Sequence, residues 1–380
     1  MEAPVADLSN WRTAPFNRWA FRNVPDLMPV ARISRASDDV WALPTALGNF
    51  GDFALQVPGG ATLSLPQVLD ATATDGLVVL HDGKIVFEDY RNGLAPDAPH
   101  IIMSATKSIT GLVAALLAQR GAVDLRATIA AIVPELAGTI YRDVTLQHLL
   151  DMRSGVTLND AQLRAYADAS GWEKPGPERR GLHAFYVEQA GAAVTPGGPF
   201  RYISANADLL GWALERATGK SFANLVSELL WQPIGMEADA CITEDGFGAP
   251  RTTGGLCATA RDLARLGQLL VQDGKRNGHV IVPPAIIADV ENNGDAEAWK
   301  TGDFAGGFAG MTMRYRNGWY VVDSAPKMIF AMGIHGQNLF VDRSNRIVIA
   351  KLSSQGDALD YRAIGLTHLA VRELRRCLVA

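Results

Sequence analysis

Short apolar runs separated by polar turn residues lie near both ends of the chain. Residues 76–80 (GLVVL) and 84–90 (KIVFEDY) flank His81, Asp82 and Gly83, which is the pattern of a β-hairpin. We expect one sheet to combine this hairpin with five later strands and to be followed by an amphipathic helix at 357–378. The five later runs are 311–315, 319–323, 328–334, 338–342 and 346–352.

A strongly apolar helix is predicted directly after the hairpin. It begins at Ser104, in the run SATKSITGLVAALLAQRG, and ends at Gly121. Apolar side chains recur at helical spacing over a broad face, which predicts a buried helix. These side chains are Ile109, Leu112, Val113, Leu116 and Leu117.

The middle of the chain, from about 122 to 300, has mainly helical spacing, with N-cap residues at Thr145, Ser221 and Thr259. Residues 153–200 are rich in glycine, proline and charge and are expected to form a long loop region.

The predicted class is α+β, an antiparallel sheet flanked by helices with an inserted all-helical region. We divide the chain into an irregular N-terminal wrap (1–60), a sheet domain (61–121 and 301–380) and a helical domain (122–300).

Composition excludes several classes of protein. The 380 residues are 48% hydrophobic and 20% charged, which excludes a disordered chain. The net charge of −5 without a basic stripe argues against a nucleic-acid partner. No run approaches the roughly 18 apolar residues of a membrane helix, and no secretory signal is visible at the start. Three cysteines suit a reducing compartment, so we expect a cytoplasmic protein without a membrane partner.

Ser104 and Lys107 form an S-x-x-K tetrad at the start of the buried helix. Residues three apart share a helix face, so the lysine amine can reach the serine hydroxyl and take its proton. The helix N-terminus also supplies N–H groups to a developing oxyanion. Alone, the tetrad also fits an N-cap serine followed by a surface lysine.

Two further segments fit the same chemistry. Tyr202 and Ser204 follow a Gly/Pro-rich turn just before a helix, where a phenol can shuttle a proton, although packing at a helix entrance is the alternative. Gly333, Ile334 and His335 end an apolar strand whose free N–H groups can meet a substrate, although a simple bulge is the alternative.

Other chemistries lack support in the sequence. The seven histidines show no metal-ligand spacing, and no P-loop, dinucleotide fingerprint or G-x-S-x-G elbow occurs. We therefore expect no metal and no organic cofactor.

The order S-x-x-K at 104–107, Y-x-S at 202–204 and G-I-H-G at 333–336 resembles the serine β-lactamase and penicillin-binding-protein superfamily, in particular its class C-like esterase and amidase branch. The resemblance covers most of the chain and includes LLDMRSG (149–155) and GGLCATARDLARLG (254–267).

The resemblance implies a role for each motif. Ser104 is the acylated nucleophile, Lys107 and Tyr202 are the general acid/base pair, and the N–H groups of Ser104 and Ile334 form the oxyanion hole. Ser204 stands where the family's Y-x-N has asparagine, which matches the esterase side.

One element of the β-lactamase pattern is missing. The family's K-T-G motif corresponds here to residues 331–334, Ala-Met-Gly-Ile, which lack the lysine. That lysine helps to hold a β-lactam carboxylate, so its absence argues against efficient β-lactamase action.

The resemblance also suggests substrate contacts. In an amidase of this branch, a tyrosine several residues after S-G-V hydrogen-bonds the scissile amide nitrogen. Here that place falls near Gln162, and the closest tyrosine is Tyr166. Gln162, Tyr166, Ser204 and His335 are therefore our candidate substrate-binding residues.

Together these features predict a serine hydrolase that cleaves a small ester or amide through an acyl-enzyme on Ser104. The alternatives are a β-lactamase or D-Ala-D-Ala peptidase, and a non-catalytic binding protein of the same fold. The expected partner is a small-molecule substrate, and the sequence leaves monomer and homodimer open.

Overall fold

The computed structural model describes residues 5–57, 59–174, 176, 180–324 and 327–379. Parts of the predicted N-terminal wrap (1–4 and 58) and of the predicted loop region (175 and 177–179) lie outside the described residues.

Fifteen strands are found in the described part of the chain: β1 (Val30–Ile33), β2 (Leu55–Gln56), β3 (Thr62–Leu63), β4 (Thr74–His81), β5 (Lys84–Tyr90), β6 (His100–Ile101), β7 (Ala240–Thr243), β8 (Leu256–Ala258), β9 (Lys275–Arg276), β10 (His279–Val280), β11 (Met313–Arg316), β12 (Trp319–Val322), β13 (Met328–Gly333), β14 (Gln337–Asp342) and β15 (Ile347–Ser353).

The α-helices of the same residues are α1 (Asn17–Ala20), α2 (Leu65–Ala71), α3 (Thr106–Gln119), α4 (Ile129–Ile132), α5 (Leu146–Leu150), α6 (Asp160–Ala169), α7 (Leu182–Val187), α8 (Ser204–Thr218), α9 (Phe222–Val226), α10 (Gln232–Ile234), α11 (Ala260–Val271), α12 (Pro284–Asn292), α13 (Ala296–Lys300) and α14 (Tyr361–Val379).

A seven-stranded antiparallel sheet joins the two ends of the chain. Its order is β11-β12-β13-β14-β15-β4-β5, so the early hairpin pairs with the late strands through β15. The predicted hairpin, the five late strands and the α+β class are confirmed, with strand ends shifted by one or two residues.

Helices cover both faces of this sheet because the strand side chains alternate between two apolar cores. Val78 and Leu80 of β4 face the core that contains α3 and α11. Leu77 and Val79 face the other core, which α2 and α14 close. The strands are therefore apolar on both sides, and the sheet is the middle layer of three.

Helix α3 is buried along nearly its whole length, as its sequence predicted. A 3-10 turn over Met103–Ala105 precedes it, so Ser104 lies just before the first α-helical turn. Gly111 lets the helix approach the turn between β11 and β12, since a Cβ there would lie 1.8 Å from the carbonyl oxygen of Asn317.

Two features differ from the sequence prediction. The region 122–300 is not entirely helical, because β7 and β8 pair with β1 and β6 in a second sheet of order β1-β7-β8-β6. The predicted loop region at 153–200 contains α6 and α7, and α6 begins at a capping box formed by Asn159 and Gln162. Short strands that pair with distant segments, and short helices that begin at a local cap, contain too few apolar repeats to be recognised in the sequence.

Among the helices of the described ranges, none combines the length and the hydropathy of a membrane span.

We expect Gly111→Ala to lower the free energy of unfolding by about 2–3 kcal/mol, because the new methyl group must displace the Asn317 backbone. The matched control is Gly365→Ala in α14, where a Cβ has no neighbour within 4 Å. That variant should be as stable as the wild type or gain up to about 1 kcal/mol from helix propensity. Urea unfolding measures both, and equal effects would contradict the packing described.

Candidate active site

Ser104 and Lys107 meet at the N-terminal end of α3. Lys107 Nζ donates to Ser104 Oγ over 2.9 Å, and the lysine is 3% exposed. Met103, the buried residue before the serine, has a left-handed backbone with φ of 46°. Such a conformation costs energy in a non-glycine residue and is held here by the surrounding core, so the serine is presented in a fixed direction.

A second bond of the lysine amine reaches the turn before β8. Lys107 Nζ donates to the carbonyl oxygen of Thr253 over 2.7 Å. The N–H of Thr253 in turn donates to Asp208 Oδ1 over 2.8 Å. The amine is therefore fixed between the serine hydroxyl and a backbone carbonyl that α8 holds in place.

Asp208 is itself held by a buried network. It forms an ion pair with Arg251 and accepts a hydrogen bond from the hydroxyl of Tyr166. Burial keeps the pKa of Tyr166 well above its ordinary value, so the phenol remains protonated and donates this bond. The carboxylate thus has a cation, a phenol and a backbone N–H as partners.

The ring of Tyr202 lies next to the Lys107 amine. Lys107 Nζ is 4.9 Å from the centre of the Tyr202 ring. The ring packs against Phe304, with ring centres 5.1 Å apart, and the N–H of Tyr202 donates to Asp303 Oδ2 over 2.9 Å. The phenol is therefore anchored by its backbone and its ring face.

The end of β13 reaches the serine from the sheet. A Cβ on Gly333 would lie 2.5 Å from the carbonyl oxygen of Ile102 and 3.0 Å from the backbone nitrogen of Ser104. Only glycine permits this approach, which brings Ile334 to the same place as Ser104. His335, the next residue, is left-handed with φ of 60°, so the chain turns immediately after Ile334.

These residues surround a cavity of about 200 Å³, which we call the reaction cavity. Predicted candidates in its lining are Ser104, Tyr166, Tyr202, Ser204 and Ile334, while Lys107 lies beside Ser104. The rest of the lining was not predicted residue by residue, and it consists of Arg12, Met103, Ala167, Ser170, Trp172, Glu173, Arg251, Thr253 and Gly254.

Two predicted substrate contacts lie outside this lining. Gln162 is engaged in the cap of α6, where its side chain accepts the Asn159 N–H over 2.9 Å and donates to Gln189 over 2.8 Å. His335 is buried, its Nδ1 lies 2.7 Å from the Gln355 carbonyl oxygen, and its ring packs against Phe21. Both side chains have structural partners that turn them away from the cavity.

The arrangement can support acyl transfer. The serine hydroxyl, the lysine amine and the Tyr202 ring lie together beside backbone N–H groups, and groups of these kinds activate a serine and stabilise an oxyanion. Within the described part of the chain, no three histidine, cysteine or carboxylate side chains lie together as a metal site requires.

A buried lysine supports the loop that carries Ile334. Lys351 on β15 donates to Ser353 Oγ and, over 3.4 Å, to the carbonyl oxygen of Gly336. Burial lowers the pKa of Lys351 to about 7, and the nearby Asp75 carboxylate only partly opposes this.

Comparison with known proteins gives matches over most of the chain. A family model described as Beta-lactamase matches residues 54–372. The 6-aminohexanoate-dimer hydrolase of Paenarthrobacter ureafaciens is 33% identical over 357 residues, which is 92% of this chain and 88% of that protein.

Solved structures show the same fold. A Bacillus anthracis protein assigned to the 6-aminohexanoate-dimer hydrolases superposes with a TM-score of 0.89 at 29% identity, covering 99% of both chains. A family VIII carboxylesterase superposes with a TM-score of 0.57 at 19% identity, covering 80% of this chain and 96% of that one, and shows the likeness of fold alone.

We expect Arg251→Met to lower the free energy of unfolding by about 3–5 kcal/mol, because the Asp208 carboxylate would remain buried without its cation. Asp208→Asn combined with Arg251→Met should cost less than the sum of the two single changes. As a control, Arg216→Met breaks an exposed pair with Glu135 and should have little effect. Additive effects in the double variant, measured by urea unfolding, would show that the pair is not coupled.

The pH dependence of stability should reveal Lys351. Its pKa is about 7 in the folded state and near the ordinary value of about 10.4 when unfolded, so the wild type gains stability as pH rises between these values. Lys351→Met lacks this gain. Its stability relative to wild type should therefore fall by about 2 kcal/mol between pH 7 and pH 9 in urea unfolding. A constant difference would contradict the assignment.

Proposed function

The chain belongs to the beta-lactamase family, as its motifs predicted, and we propose that this serine hydrolase cleaves a small ester or linear amide through an acyl-enzyme on Ser104. The observation that carries the proposal is the 2.9 Å bond from the buried Lys107 amine to the Ser104 hydroxyl at the edge of a cavity.

In the first step Ser104 Oγ attacks the substrate carbonyl. Its proton passes to one member of the Lys107–Tyr202 pair, which acts as the general acid/base. The oxyanion is stabilised by the N–H groups of Ser104 and Ile334, because the close approach at Gly333 sets these two residues side by side.

In the second step the leaving group takes a proton from the same pair and departs. Water then attacks the acyl carbon and gives a proton to the same pair, the pair returns that proton to Ser104 Oγ as its bond to the acyl carbon breaks, and the acid product leaves. Ser204 and Tyr166 line the cavity and contact the substrate, while Asp208 and Thr253 hold Lys107 in place.

Cleavage of an amide is supported by the relative that is 33% identical, which is named a 6-aminohexanoate-dimer hydrolase. Cleavage of an ester is compatible with the fold shared with the carboxylesterase. β-Lactam hydrolysis is the weaker alternative, because Ala331 and Met332 occupy the stretch where the family places a lysine that binds the β-lactam carboxylate.

The test is a substrate panel on one preparation: p-nitrophenyl acetate and butyrate, 6-aminohexanoate dimer, and nitrocefin. We expect turnover of an ester or the dimer and little turnover of nitrocefin. Ser104→Ala and Lys107→Met should lower kcat/KM by at least about a thousandfold, and Tyr202→Phe by about a hundredfold.

Ser108→Ala is the matched control, since this serine lies on the same buried helix and its hydroxyl donates to the Gly318 carbonyl oxygen instead. It should keep its activity. Wild-type rates in Ser104→Ala would overturn the proposal, and rapid nitrocefin turnover without ester or amide cleavage would favour a β-lactamase. A folded protein without any turnover would favour a binding protein.

A further inference from the structure

A larger cavity, of about 660 Å³, adjoins the reaction cavity. We call it the side groove. It shares Tyr166, Tyr202 and Ser204 with the reaction cavity, but neither Ser104 nor Ile334 lines it. Tyr202 and Ser204 thus stand between the nucleophile and the groove.

The walls of the side groove are largely apolar. The aliphatic part of the lining comes from Val156, Leu158, Leu163, Ile203 and Ala205, while Thr157, Ser204 and the charged Arg201 and Asp303 supply its polar part. Leu163 is half exposed. An exposed apolar wall next to a reaction site is the usual character of a ligand pocket.

The charged residues of the lining are paired with each other. Arg201 Nη1 donates to Asp303 Oδ1 over 2.8 Å, and Asp303 Oδ2 accepts the Tyr202 N–H over 2.9 Å. Asp303 thus holds the tyrosine backbone and Arg201 neutralises Asp303, so the groove suits an uncharged apolar group better than an ionic one.

The positions of the nucleophile and of the proton donor decide which part of the substrate enters the side groove. The acyl carbon must stay within bonding distance of Ser104 Oγ, with its oxygen at the N–H groups of Ser104 and Ile334. The leaving atom must face the acid/base pair that protonates it, and of Lys107 and Tyr202 it is Tyr202 that lines both the reaction cavity and the side groove. The acyl group therefore occupies the reaction cavity, and the leaving group extends past Tyr202.

We propose that the side groove is the leaving-group subsite, and that the preferred substrates carry an uncharged apolar alcohol or amine. This inference rests on the proposed function. In the step concerned, the bond from Ser104 Oγ to the acyl carbon forms and the bond from that carbon to the leaving oxygen or nitrogen breaks. The leaving atom gains the proton that Ser104 lost, so the alcohol or amine departs neutral into the groove.

Two matched ester series test this assignment. Ethyl, butyl and hexyl propionate lengthen the alcohol, while ethyl propionate, pentanoate and heptanoate lengthen the acid by the same number of methylenes. Because kcat/KM includes the acylation step, it reports leaving-group binding. We expect kcat/KM to rise at least about tenfold from ethyl to hexyl propionate, as methylenes leave water, without such a rise in the acid series.

Two variants test whether the dependence on alcohol length arises at the wall of the side groove. Leu163→Asp places a charge on the groove wall and should bring the hexyl-to-ethyl ratio of kcat/KM close to one. Leu47→Asp is the matched control, since Leu47 is also exposed and does not line either cavity. It should keep the wild-type ratio.

Each outcome bears on the inference. Ser104-dependent hydrolysis with a flat alcohol series, or with a rise only in the acid series, overturns the subsite and leaves the proposed function standing. An unchanged ratio in Leu163→Asp overturns it as well. A chain that cleaves none of the esters or amides overturns the proposed function and this inference together.

Discussion

The site depends on one buried amine. Lys107 is almost fully enclosed, and in the described residues its hydrogen-bond partners are two uncharged oxygens, Ser104 Oγ and the Thr253 carbonyl. Burying an amine without hydrogen-bond acceptors costs roughly several kcal/mol, so the folded state is stable only while both oxygens accept hydrogen bonds from Lys107. The start of α3 fixes the first, and the Asp208–Arg251 pair fixes the second through the Thr253 N–H.

A second constraint is the contact between the sheet and α3. Gly333 at the end of β13 and Gly111 in α3 both lie where a Cβ would overlap backbone atoms. These close approaches set α3 against the turn between β11 and β12 at one point and bring Ser104 beside Ile334 at the other. The sheet therefore does more than bury apolar surface, because its register determines the distance between the two N–H groups that we propose bind the oxyanion.

The regular helices and strands were predictable because the residues that face the core recur at helical or strand spacing along the sequence. The hairpin, the late strands and α3 all have long apolar patterns, and the motif order led to Ser104, Lys107 and Tyr202. The Asp208–Arg251 pair was missed because its members are 43 residues apart, although an aspartate inside the apolar run ADLLGW was a visible signal.

Gln162 shows the opposite case, a candidate that the structure places in a helix cap. Counting along the chain from Gly155 assumed a loop, whereas the capping box at Asn159 starts a helix there. The helix turns Gln162 to its own cap and Tyr166, one turn later, to Asp208. Spacing in sequence becomes a position in space only when the local structure is known.

The central claim is that Ser104 is the nucleophile, and covalent labelling tests it most directly. Folded protein is treated with a fluorophosphonate, digested with trypsin and analysed by mass spectrometry. The peptide 92–107 contains Ser104 as its single serine. The account predicts one adduct on this peptide, absent from Ser104→Ala and from protein unfolded before labelling. Labelling on another peptide, or none in the folded protein, would contradict it.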